Sequence, residues 1–169
     1  MRSLRDAMRI GETMRRPERE LKDKVTIRSI LEQSPVGRMA TVNQEGYPVI
    51  KPVNFLYWDD RIYVHSSLNG EKADDIRRGS PVCFEVDVPI SYVAARGPAC
   101  KANFYYRSVI LKGKASLIED PQKKREVLQK MMGKYQPERG FKKIQEEVLR
   151  KTAVIEISTD EITAKENLG

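Results

Sequence analysis

The chain has 169 residues, 40% hydrophobic and 33% charged, with one histidine, two cysteines and a net charge of +7. This size and mixture suit one soluble domain with a real core, no apolar run approaches the roughly 20 residues needed to cross a bilayer, and the front lacks the apolar centre of a secretory signal. A cytoplasmic protein with no membrane partner is expected; Cys83 and Cys100, too far apart for a CxxC pair and with only His65 to join them, make no metal site and read as small buried residues.

Residues 1–38 carry ten Lys/Arg against six Asp/Glu. No aromatic residues interleave with these charges, so the arm reads as solvated and no nucleic-acid partner is expected. Pro17 stands as the first residue of a short helical pattern whose apolar positions are Leu21, Val25, Ile27, Ile30 and Leu31. Residues 1–35 are thus a charged arm and helix packing on the rest, and residues 36–169 form the body of a single domain. From 38 the period changes to that of strands. "RMATVN" (38–43) and "YPVIKPVNFLYW" (47–58) are joined by "QEG" as a hairpin, and "RIYVHS" (61–66) follows the turn "DD". "GEKADDIRR" reads as a short helix, "PVCFEVDV" (81–88) as a strand, and "PISYVAARGPACKA" as a loop. A long strand pattern covers 103–119, with Gly113 marking a bend of the kind found at a barrel corner. Asp120 as N-cap and Pro121 at the first position open a helix with Val127, Leu128, Met131, Met132 and Tyr135 on one face. A short helix around "FKKIQEEVL", a closing strand "TAVIEIS" and a tail complete the chain. Six or so consecutive strands with short turns predict a mainly β fold, a six-stranded antiparallel barrel with peripheral helices. Strand-helix alternation is missing, which disfavours a doubly wound sheet.

Several reaction classes are removed by what is missing. There is no GxSxG elbow, no GxxxxGK[ST] loop and no GxGxxG fingerprint. A chain this poor in reactive groups needs a cofactor to supply chemistry. Three stretches could hold one. In "YPVIKPVNF", Pro48 and Pro52 each delete a backbone donor, so the strand has a free or interrupted edge. That edge is either ordinary or a row of free groups for a planar heterocycle. "HSSLNGEKADDIRR" offers the hydroxyls of Ser66 and Ser67, a helix start and the cation Lys72, which suit either a phosphate or plain capping. "YYRSVILKG" puts Arg107 on one strand face and Ser108 on the other, a pair that also suits a solvent edge.

Taken in order, "GRMATV", "PVIKPVNFLY", "IYVHSSLNGEKADDIRR", "PVCFEVD" and "CKANFYYRSVILKGKASLIED" resemble the pyridoxamine 5'-phosphate oxidase-like flavoproteins, especially the nitroimidazole-resistance branch. The likeness runs from about 36 to 135 and resumes at "AVIEISTDEITAKEN". It implies a split β-barrel, a homodimer, and FMN in clefts built by both subunits. It places Lys51, Pro52, Val53, Asn54 and Phe55 along the flavin ring, and His65, Ser66 and Lys72 toward the phosphate. Arg107 and Ser108 complete the site. At 50–55 this chain has "IKPVNF" where oxidase members carry basic residues. The nitroimidazole-resistance branch is similar in having a histidine at the position of His65, which makes His65 the candidate catalytic residue.

The resulting expectation is an FMN-dependent oxidoreductase that takes a hydride from a nicotinamide nucleotide and reduces a small electron acceptor. The alternatives are a non-catalytic flavin-binding or sensory protein, or a split barrel that holds deazaflavin F420 or haem, for which His65 is the obvious ligand.

Overall fold

The computed structural model describes residues 14–138, 140, 141 and 143–169. The basic stretch 1–13 lies outside the described residues. A 3-10 turn at Pro17–Arg19 precedes helix α1 (Lys24–Gln33), so Pro17 opens a separate turn and not the helix itself. Asp23 caps α1 by accepting from Val25 and Thr26 backbone N–H. Ile27, Ile30 and Leu31 enter the core while Val25 is 76% exposed. Leu21, outside the helix, still buries its side chain and donates its N–H to Ala164 O at 3.0 Å. The remaining elements are β1 (Gly37–Val42), β2 (Pro48–Val53), β3 (Phe55–Trp58), β4 (Arg61–Ser67), α2 (Glu71–Arg77), β5 (Pro81–Val93), β6 (Asn103–Leu117), α3 (Pro121–Tyr135), α4 (Glu146–Lys151), β7 (Thr152–Ile157) and β8 (Glu161–Asn167).

All strand pairs are antiparallel, in the order β2-β1-β5-β6-β7-β4-β3, with β8 also on β6. The two ends of this path, β2 and β3, are separated by Asn54 alone. Two peptide units span at most about 7 Å, so the path must curl until its ends nearly meet. They meet without pairing, and the result is a split barrel. The prolines explain the split: β2 carries Pro48 and Pro52 and stands at an edge, where a missing donor costs no ladder bond. Asp59 and Asp60 both take positive φ in the β3–β4 turn, as a two-residue hairpin requires.

Gly113 is the corner. Along β6, β8 covers residues 106–112 and β7 covers 115–117. Between them a Cβ on Gly113 would lie 1.9 Å from Ser158 O, so only glycine lets the backbone of the β7–β8 turn approach. Among the described residues the strand count is eight, because Asn54 divides one predicted strand and the tail forms β8. β8 offers only Ile162 and Ala164 to the core, too little alternation to read as a strand from sequence. The interior is filled by Phe55, Phe84, Met39, Val64, Leu111 and their neighbours. A second apolar cluster, with Tyr63, Val127, Met131 and Val154, attaches α3 to the outside of β4 and β7. Of the cysteines, Cys83 is half-buried in β5, while Cys100 is exposed, because its 3-10 turn at Ala99–Lys101 buries nothing. No helix of the described residues is long and apolar enough to cross a membrane.

Candidate functional site

β4 delivers His65 and Ser66 to the barrel rim, and α2 begins five residues after Ser66, at Glu71, behind its N-cap Gly70. Gly70 adopts φ 154° and ψ 156°, a region that side chains avoid. No side chain caps α2; Ser67 Oγ instead accepts from the Asn69 N–H at 3.3 Å. The strained glycine lets the chain turn directly from strand to helix and brings Lys72 back toward His65 and β2.

Three basic side chains meet there. Lys51 points inward from β2, and its Nζ is shielded from solvent. Glu71 Oε2 lies 2.8 Å from that nitrogen, but no acceptor is aligned with it for a hydrogen bond. Lys72 has its pKa lowered by burial and then by the charge of Lys51. The ring of His65 is held below its ordinary pKa by burial and then by the charge of Lys72. Lys51 thus acts on Lys72 and Lys72 on His65, and a positive field of this kind favours a nearby anion.

On its other side His65 meets α3. Nδ1 lies 3.1 Å from Met131 Sδ. A thioether has only lone pairs to offer, so the attractive arrangement puts the proton on Nδ1 and leaves Nε2 as an acceptor. Among the described residues Nε2 has no partner. Both residues line a cavity of about 360 Å³ between the β4–β7 pair and the helices α3 and α4.

The β2–β3 junction is held by α3. Phe55 N–H donates to the Tyr135 hydroxyl at 2.9 Å, and that hydroxyl lies 2.8 Å from Pro35 O and 3.1 Å from Phe55 O. Lys134 Nζ donates to Phe55 O at 3.1 Å and sits 3.9 Å from the centre of the Phe55 ring. The Phe55 and Val53 side chains belong to the core. Neither side chain, nor the Phe55 amide, is therefore free to touch a ring, and the exposed part of the predicted segment is Pro52 and Asn54, with Lys51 partly buried. The reason is that β3 carries the Phe55 ring inward onto Phe84.

Arg107 and Ser108 lie elsewhere. Arg107 Nε donates to Glu166 Oε2 at 3.1 Å and lines a cavity of about 730 Å³ with Arg38, Asp87 and the end of α1. None of its wall residues borders the His65 cavity. Ser108 stands opposite Asp87 on one side and Lys165 on the other. Within one chain, then, Lys51, Lys72 and His65 come together, Ser66 follows His65 in β4, and Arg107 with Ser108 does not join them. Sequence reading missed the apolar wall of the cavity: Leu128, Met131 and Met132 of α3, Val148 of α4, and Ile144 just before α4. Its signal was the α3 stripe, wider than one core contact consumes.

No group of three or more potential metal ligands occurs among the described residues. No curated protein matches the chain. Among solved structures, a flavocytochrome from Azotobacter vinelandii is 26% identical, with a TM-score of 0.86 over 96% of this chain and 76% of that one. A protein assigned to 5-nitroimidazole antibiotic resistance, from Bacteroides thetaiotaomicron, is 28% identical, with a TM-score of 0.77 over 87% and 86%. An FAD- and haem-binding protein from Mycobacterium smegmatis shares the fold at 22% identity, with a TM-score of 0.82 over 89% and 74%. The family model for pyridoxamine 5'-phosphate oxidase matches residues 23–166, from the helix cap at Asp23 into β8, and the chain belongs to that flavin-binding family.

Proposed function

We propose that the protein binds FMN and acts as an oxidoreductase on a small electron acceptor. The observation that carries this reading is the shielded, unaligned ammonium of Lys51 beside Lys72 and His65. A phosphate dianion would give Lys72 an acceptor and Lys51 an aligned one beside Glu71, and would relieve the repulsion between the two lysines. Lys51 and Lys72 would hold the phosphate, with Ser66 as a hydroxyl donor, and the accessible backbone around Pro52 and Asn54 would lie beside the ring. Arg107 and Ser108 would serve from a second copy of the chain, which makes the working unit a homodimer. Bound flavin would supply the redox chemistry, with a nicotinamide nucleotide as the hydride source. His65, its pKa lowered by burial and then by Lys72, positions the acceptor by a hydrogen bond near neutral pH and gives it a proton only in its protonated form. A cytoplasmic location, where nicotinamide nucleotides are reduced, suits this role.

The purified protein should be yellow, and the chromophore released on denaturation should have the mass of FMN. His65→Gln should slow acceptor reduction by NADH or NADPH while keeping flavin bound. Colourless protein that takes up no FMN overturns the reading; an unchanged rate in the variant removes His65 from it.

A second reading has its own observation. The partnerless Nε2 of His65 would be the nitrogen to hold a haem iron, and the likeness to the Azotobacter flavocytochrome supports this reading. An intense Soret band in place of, or beside, the flavin spectrum separates the two.

A further inference from the structure

The His65 cavity is a site of different character from the lysine cluster, and it does not depend on it. Neither Lys51 nor Lys72 lines it. Its walls are Leu128, Met131, Met132, Ile144 and Val148, with Asn54, His65, Tyr135 and Thr152 as the polar members. Although 33% of the chain is charged, none of these nine residues is. A charged ligand would find no counter-charge there and would lose its hydration.

The polar members are nearly all engaged. Thr152 Oγ1 donates to Val148 O at 2.8 Å. The Tyr135 hydroxyl is committed to the Phe55 amide and the Pro35 and Phe55 carbonyls. Asn54 Nδ2 donates to Pro35 O at 3.2 Å. His65 is the exception, because its Nδ1–H rests on a thioether sulfur 3.1 Å away, a weak acceptor. A carbonyl oxygen entering the cavity is a better one. Volume sets the size. An apolar cavity of about 150 Å³ accommodates benzene, so about 360 Å³ has room for two fused rings. The flexible side chains of Met131 and Met132 can adapt their shape to such a body.

We infer that the cavity between α3, α4 and the β4–β7 pair binds an uncharged fused-ring compound bearing a ring carbonyl, whose oxygen accepts from His65 Nδ1–H in place of Met131 sulfur. This claim concerns binding alone and stands whether or not the protein carries flavin.

The test uses coumarin as the neutral probe, coumarin-3-carboxylate as its charged analogue and naphthalene as the ring without a carbonyl. Affinity is read by calorimetry on the protein as purified, with flavin content recorded for every sample. Because His65 is the single histidine, its ring signals in NMR report the contact directly. Coumarin should bind at least tenfold more tightly than the carboxylate and more tightly than naphthalene, and it should shift the His65 ring signals. Val148→Arg, at a position 51% exposed and so tolerant of change, should weaken coumarin at least tenfold with flavin content unchanged. Met132→Phe, which fills the cavity, should do the same. Equal binding of the carboxylate, unmoved His65 signals, or full coumarin affinity in both variants overturns the inference. Flavin uptake is scored separately, so a colourless protein that still binds coumarin refutes the proposed cofactor and leaves this site standing.

Discussion

Replacing Lys72 by Met keeps the aliphatic stem and deletes one ammonium from the trio at the barrel rim, and the structure makes its consequences opposite in the two states. With FMN bound, a charge-assisted hydrogen bond to phosphate is lost. Such bonds contribute about 1.5–3 kcal/mol, which corresponds to roughly 10- to 150-fold weaker binding. Without flavin, the same ammonium is unfavourable: burial and then Lys51 depress its pKa, and it in turn depresses that of His65. The variant should therefore be no less stable than the parent when flavin-free, and its His65 pKa should rise toward the ordinary value. The assay titrates FMN and riboflavin into flavin-free protein by fluorescence quenching, with His65 followed by NMR across pH. Riboflavin lacks the phosphate, so its affinity should be unchanged while that of FMN falls. Equal weakening of both flavins would mean that Lys72 supports the ring or the fold and not the phosphate. An unmoved His65 pKa would remove the electrostatic coupling on which the reasoning rests.

Two glycines should respond to alanine with opposite signs. Gly113→Ala drives a Cβ into backbone at Ser158 and should cost about 1–3 kcal/mol or more, as overpacking does, whereas Gly133→Ala in α3, where a Cβ meets nothing within 4 Å, should stabilise by about 0.5–1 kcal/mol. Urea midpoints check both, and a tolerated Gly113→Ala refutes the corner. Tyr135→Phe leaves the Phe55 N–H without its acceptor and should destabilise by about 1–3 kcal/mol; an unchanged midpoint refutes the clamp. Burial lowers the Lys134 pKa to about 8, below the value of about 10.4 for an unfolded chain. Below pH 8 both states hold the proton and the cost of burying it is fully present. Between there and the unfolded value the unfolded chain binds more protons, so stability should rise with pH through that window. Lys134→Met should flatten the rise, measured by urea unfolding at pH values on either side; an unaltered slope assigns it to another group.

What could be read in the sequence was local chemistry that admits few alternatives. Asp120 followed by Pro121 announces a helix, and Asp120 does accept from the Gln122 and Lys123 amides. Two prolines four residues apart exclude a central strand, and β2 is an edge. A lone glycine in a long strand marks the place where β6 exchanges β8 for β7. What stayed hidden depends on groups that meet only after folding. The Tyr135 hydroxyl reaches Phe55 across 80 positions, and Asp75 is buried because Thr41 and Arg78 answer its two oxygens at 2.5 and 2.6 Å. Lys51 shows the difference most clearly. In the sequence it is one lysine among 31 basic residues, on a strand whose edge faces outward. Only the curl of the sheet and the abrupt turn at Gly70 bring Glu71 and Lys72 onto it and cover its nitrogen. The same turn sets His65 between a charged site on one side and an uncharged cavity on the other. A residue so placed can answer to an anion through its pKa and to a neutral ring through its Nδ1–H, and the two responses can be measured apart.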